Sequence, residues 1–119
     1  MKIKFSTRIV ILTKTKAYKI PIDRRGLMQC RNEYIVWNSM LLARPFLAPL
    51  VWYKFGIVCQ ERVQPIKEFD RSLVYLLKDK ISKLNIENCD LHNPDNWGLY
   101  NNEQVLLDYG IDQKVSEMY

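Results

Sequence analysis

The sequence has no apolar run near the ~18 residues of a membrane span. Nor does Met1-Lys2-Ile3-Lys4-Phe5 offer the unbroken apolar stretch of a secretory signal; charge and apolar character alternate there. These two absences point to a cytoplasmic protein. Cysteine is scarce: Cys30, Cys59 and Cys89 are odd in number and far apart. That spacing supports neither a disulfide framework nor a paired-cysteine zinc site, and suits a reducing compartment. A single histidine, His92, argues further against zinc. Repeats, low-complexity tracts and clear linkers are also missing, so 119 residues read as one small domain.

Acidic residues are few in the first part of the chain and crowded in the last. Residues 1–31 hold nine Lys or Arg and one acid, Asp23, whereas residues 86–119 hold seven acids and one base, Lys114. One end suits phosphate and the other a cation. The bases lie in a strand-like pattern (Lys14, Lys16, Lys19), without an Arg-rich helix or zinc-finger spacing, which argues against a nucleic-acid module.

Periodicity gives the order of elements. Arg8 to Leu12 and Lys16 to Ile22 read as strands around a Thr13-Lys14-Thr15 turn, the second stopped by Asp23-Arg24-Arg25-Gly26. Leu27 to Leu42 reads as a helix with an apolar stripe of Leu27, Cys30, Tyr34, Trp37 and Leu41, ended by Pro45. Leu50 to Tyr53 and Phe55 to Cys59 read as strands, and Glu61 to Lys67 as a polar connector. Glu68 to Leu84 is helical, with Leu73, Leu76 and Leu77 expected to pack beneath the loop that follows. That polar loop runs to Asn96. Trp97 to Tyr100 and Val105 to Leu107 form a hairpin across Asn101-Asn102. The class is α+β with a small antiparallel sheet in front.

The chemistry concentrates near the end. Asp90-Leu91-His92-Asn93-Pro94-Asp95-Asn96-Trp97-Gly98 is followed by Val105-Leu106-Leu107-Asp108-Tyr109-Gly110. An acid and an amide on a loop, with a second acid at the end of an apolar strand, form a hard-oxygen set suited to Mg²⁺. Singly these residues read as loop caps and turn formers, and Lys19 as a solvated strand lysine. Their ordered combination is more specific.

Asp-Leu-His, Asn-x-Gly and a hairpin ending in Asp-Tyr-Gly resemble the catalytic and metal-binding loops of protein kinases and their small-molecule kinase relatives. Ala17-Tyr18-Lys19-Ile20 resembles the third-strand Val-Ala-Ile-Lys of that family. The likeness spans roughly residues 6–112. It implies a kinase-like N-lobe in residues 1–60. A hinge, one lower-lobe helix, a catalytic loop and a short hairpin would follow in residues 61–119, with the rest of the helical lower lobe absent. Lys19 would bind the phosphates of ATP, oriented by an ion pair with Glu33. Asp90 would accept or orient the acceptor proton, and Asn96 and Asp108 would hold Mg²⁺, with Asp95 as the alternative to Asn96. Glu61 would lie at the nucleotide-binding hinge.

Two departures stand out. Ser6, Thr7 and Arg8 occupy the place of the glycine-rich loop, where they would donate hydrogen bonds to phosphate. Asn96 follows Asp90 by six positions, one more than the usual spacing. The chain is similar to short kinase-like proteins inferred from bacteriophage genomes, which implies a host-cell cytoplasm. The resemblance leaves three functions open: a minimal ATP/Mg-dependent phosphotransferase, a pseudokinase that binds nucleotide or protein without turnover, and a mimic of a host kinase. A protein partner or a second copy would dock where a full kinase continues.

Overall fold

The computed structural model describes residues 2–5, 8–81 and 91–109. Helix and antiparallel sheet are mixed, in keeping with the α+β reading. Five strands, β1 (Lys2–Phe5), β2 (Arg8–Leu12), β3 (Lys16–Pro21), β4 (Leu50–Lys54) and β5 (Ile57–Glu61), form one antiparallel sheet in the order β1-β2-β3-β5-β4. The alternation at the start of the chain therefore belongs to a strand that the sequence reading did not assign.

Turns follow from local chemistry. Between β2 and β3 the Thr13 hydroxyl accepts from the Lys16 amide at 3.0 Å, and the Thr13 amide donates to the Lys16 carbonyl at 2.8 Å. Between β4 and β5, Phe55 and Gly56 both have positive φ (54° and 78°), matching the right-handed twist of a two-residue hairpin.

Helix α1 (Arg24–Ser39) lies against β3, β4 and β5. Asp23 is its N-cap, accepting from the Gly26 amide at 3.0 Å, so the helix starts three residues before the expected Leu27. Its buried face is Gly26, Gln29, Cys30, Glu33 and Val36. This corrects the expected stripe, because Leu27, Tyr34 and Leu41 are exposed. Two cations from the sheet draw Glu33 inward, and the helix turns its apolar stripe partly outward as a result. The helix also ends before Pro45, which sits inside a following 3₁₀ turn, Leu41–Phe46.

Strand β6 (Gln64–Pro65), within the expected connector, pairs with β7 (Trp97–Tyr100), which pairs with β8 (Glu103–Leu106). The β7–β8 turn uses Asn101 and Asn102 at φ 52° and 67°, values that Asn tolerates well. Gly98 on β7 is a required glycine. A Cβ there would come within 2.5 Å of Val63 Cγ2 and 2.9 Å of the Gln64 carbonyl oxygen.

The main core joins the halves. Val36 from α1, Ala43 and Leu47 around the 3₁₀ turn, and Val74 and Leu77 from α2 (Arg71–Ile81) pack with Leu91, Trp97, Leu106 and Tyr109. Of the expected Leu73, Leu76 and Leu77, Leu77 is buried, Leu73 half-buried and Leu76 exposed, and Val74 joins Leu77 on the buried face of α2. Gln104 fastens the chain ahead of α2: its side-chain amide exchanges two hydrogen bonds, at 2.8 and 2.9 Å, with the Asp70 backbone. No helix among the described residues is long and apolar enough to cross a membrane.

Candidate functional site

Strand periodicity aims the site. On β3, Ala17 and Lys19 are buried while Tyr18 and Ile20 are less so, as a period of two requires. On β2 the partners of Pro21, Lys19 and Ala17 are Arg8, Val10 and Leu12. These six residues share one face, and Arg8 therefore enters on the same side as Lys19.

Four charged side chains meet there. Lys19 Nζ lies 2.9 Å from Glu33 Oε1 and 3.1 Å from Asp108 Oδ1. Arg8 Nη1 lies 2.8 Å from Glu33 Oε2, and its Nη2 lies 2.9 Å from Asp108 Oδ1. Two cations face two carboxylates, so the formal charges cancel within the cluster. Such balance is required where Arg8, Lys19 and Glu33 are all buried. Burial disfavours the Arg8 charge, but Glu33 and Asp108 more than offset it and hold the guanidinium pKa above the ordinary arginine value. No buried side-chain nitrogen or oxygen among the described residues lacks a partner.

Surrounding groups fix this geometry. Lys19 also donates to the Leu107 carbonyl at 2.7 Å, which Gln60 Nε2 reaches at 3.2 Å. The Tyr109 hydroxyl donates to the Ala48 carbonyl at 2.9 Å, and burial pushes its pKa well above that of free tyrosine. Cys30 Sγ lies 3.7 Å from Arg8 Nη1, and burial raises its thiol pKa, as it does for Cys59. Both thiols are therefore poor nucleophiles.

Beside the cluster opens a cavity of about 560 Å³, within the usual range for small-molecule sites. Val10, Leu12 and Ala17 give it an apolar wall from the sheet, and Lys19, Asp95 and Asp108 are among its charged lining residues. Glu61, Arg62 and Val63 close a third side. Glu61 is also held by Lys16, at 3.1 Å, and Arg62 Nη1 donates to the Thr13 carbonyl at 2.7 Å.

The expected residues divide into three groups. Lys19, Glu33, Arg8 and Asp108 come together directly, and Glu61 lies on the same cavity. Asn96 sits on the 3₁₀ turn Pro94–Asn96, where its carbonyl accepts from the Leu107 amide at 2.6 Å, while Asp95, one position earlier, faces the cavity. Ser6, Thr7 and Asp90 lie outside the described residues. The Arg8 guanidinium is engaged with Glu33 and Asp108 inside the cluster, which its assignment to a phosphate-covering loop did not anticipate. Its signal was register: Arg8 has the same parity as Val10 and Leu12. Gln60 and Tyr109, which set the path of residues 107–109, carried no such signal.

Among the described residues, no group of three or more His, Cys, Asp or Glu side chains is arranged to hold a metal alone. Asp95 and Asp108 nevertheless both line the cavity, as does Glu61. Mg²⁺ is commonly held by one or two carboxylates with substrate phosphates completing its shell, and Asp95 and Asp108 are the side chains that would be offered to it. No family model, curated protein or solved structure matches the chain.

Proposed function

We propose that this chain is a minimal kinase-like protein that binds ATP with Mg²⁺ and transfers a phosphoryl group. One observation carries the reading: Lys19, paired with Glu33 and in contact with Asp108, stands on the wall of a cavity of nucleotide size. The antiparallel sheet with one helix against it supports the likeness to a kinase N-lobe.

Each residue then has a physical task. Glu33 orients the Lys19 ammonium toward the phosphates, and the apolar wall of Val10, Leu12 and Ala17 accepts the base. Asp108, with Asp95 or Asn96, holds the metal. When bound, Mg²⁺ neutralises charge that builds on the transferring group. Asp90 accepts or orients the proton of the acceptor hydroxyl.

The test is transfer of labelled phosphate from ATP to itself or to proteins of a lysate. Wild type transfers label, and Asp108→Ala abolishes transfer; undiminished transfer by that variant removes the metal role. A second reading, a nucleotide-binding module without turnover, is favoured by the saturation of Lys19 with protein partners. Ligand binding stabilises the fold by mass action. A melting temperature raised by Mg·ATP without any phosphate transfer selects the module.

A further inference from the structure

An ammonium group has three N–H donors. Those of Lys19 are all engaged, by Glu33 Oε1 at 2.9 Å, the Leu107 carbonyl at 2.7 Å and Asp108 Oδ1 at 3.1 Å. A phosphate reaches Lys19 only by displacing one of these. Glu33 is fully buried and also held by Arg8, and the Leu107 bond is the shortest of the three. The Asp108 bond is the longest, and Asp108 is 34% exposed, so it is the exchangeable partner. Capture of phosphate and release of Asp108 are thus one event.

Arg8 completes the arrangement. Its planar fork spans both carboxylates, one arm on Glu33 and the other on Asp108, and it stays charged throughout. A divalent cation approaching Asp108 alone meets two positive groups on the same oxygen, Oδ1, and their repulsion opposes it. A phosphate arriving with the cation removes Lys19 from that oxygen and supplies compensating negative charge.

We propose that Arg8 is a positioning residue that, with Lys19, locks Asp108 against a lone divalent cation, so that metal and phosphate load the site together. This rests on the reading of Asp108 as a metal-binding carboxylate. Such coupling is reciprocal by thermodynamic necessity.

The experiment titrates Mn²⁺ alone, followed by its paramagnetic resonance signal, into wild type, Arg8→Gln, Arg8→Lys and Arg8→Lys/Asp108→Asn. Arg8→Lys keeps a cation for buried Glu33 but lacks the second guanidinium nitrogen that reaches Asp108, and it carries the test if Arg8→Gln does not fold. Either single variant is expected to bind Mn²⁺ at least about tenfold more tightly than wild type, and the double variant to lose that gain. General structural damage does not produce tighter binding. Equal affinity in wild type and Arg8→Lys overturns the lock, as does a gain that survives loss of Asp108. If wild type binds Mg·ATP while Arg8→Lys gains nothing, the lock fails and the nucleotide reading stands. If no nucleotide binds but Arg8→Lys gains Mn²⁺ at Asp108, the lock stands and the nucleotide reading falls.

Discussion

The Lys19 ammonium donates to the carbonyl oxygen of Leu107 over 2.7 Å, although the two residues are 88 positions apart. This bond ties the middle of the five-stranded sheet to the segment that carries Asp108. Lys19→Met breaks it and leaves fully buried Glu33 with Arg8 as its remaining cationic partner. Removing one partner from a buried ion cluster costs about 3–5 kcal/mol. Urea unfolding checks this, and a loss well under about 1 kcal/mol means the cluster does not hold the halves together.

Gly98→Ala tests the close approach of β6 to β7. The added methyl meets the Val63 side chain and Gln64 backbone, and Val63 and Gln64 line the cavity. Overpacking of this kind costs about 1–3 kcal/mol. Affinity for the nucleotide proposed above should fall together with stability. Unchanged melting and unchanged affinity would count against the packing described between these strands.

Tyr109→Phe removes the donor to the Ala48 carbonyl while keeping the ring. A buried acceptor left without its partner costs about 1–3 kcal/mol. The loss is expected in thermal unfolding with little change in the far-ultraviolet spectrum. A neutral result means that the hydroxyl is not needed to hold the chain after Asp108.

On α2, Leu77→Ala and Leu76→Ala separate the two faces. Leu77 is fully buried, and its truncation is expected to cost about 2–5 kcal/mol. Leu76 is 49% exposed, so its truncation stays near 0.5 kcal/mol or below. Equal effects on the unfolding free energy would show that the helix is rotated from this orientation.

Asp23 supplies a pH dependence. The Gly26 amide, then Arg25, holds its carboxyl below the ordinary value of 3.8. A folded-state pKa below the unfolded one contributes stability above 3.8, and that contribution is lost as pH falls through the folded value. Asp23→Asn keeps a capping oxygen that does not titrate. The melting temperature of wild type relative to Asp23→Asn should therefore drop on acidification below 3.8, and parallel curves would remove the capping charge from the account.

Much of this arrangement was legible from periodicity and turn chemistry. The β-branched run from Arg8 to Leu12, the alternation after Lys16 and the Asn101-Asn102 turn each declared themselves locally. Lys19 and Glu33 were paired by resemblance, and they do meet. The buried face of α1 was not legible, because a hydrophobic count turns a carboxylate outward whereas two buried cations turn it inward. Strand β6 has two residues, one of them Pro65, too few for any alternation to show. Register placed Arg8 on the face of Val10 and Leu12, but its burial depends on partners 25 and 100 positions away.

Trp97 lies on the cavity wall at 2% exposure, its indole N–H held by the Leu91 carbonyl at 2.7 Å and its ring tilted against Phe69. The molecule thereby carries its own optical sensor. Trp37 and Trp52 are more accessible and can be replaced by phenylalanine to isolate its emission. The remaining fluorescence, shifted to short wavelength by the dry surroundings, would then report occupancy of the cavity without any attached dye.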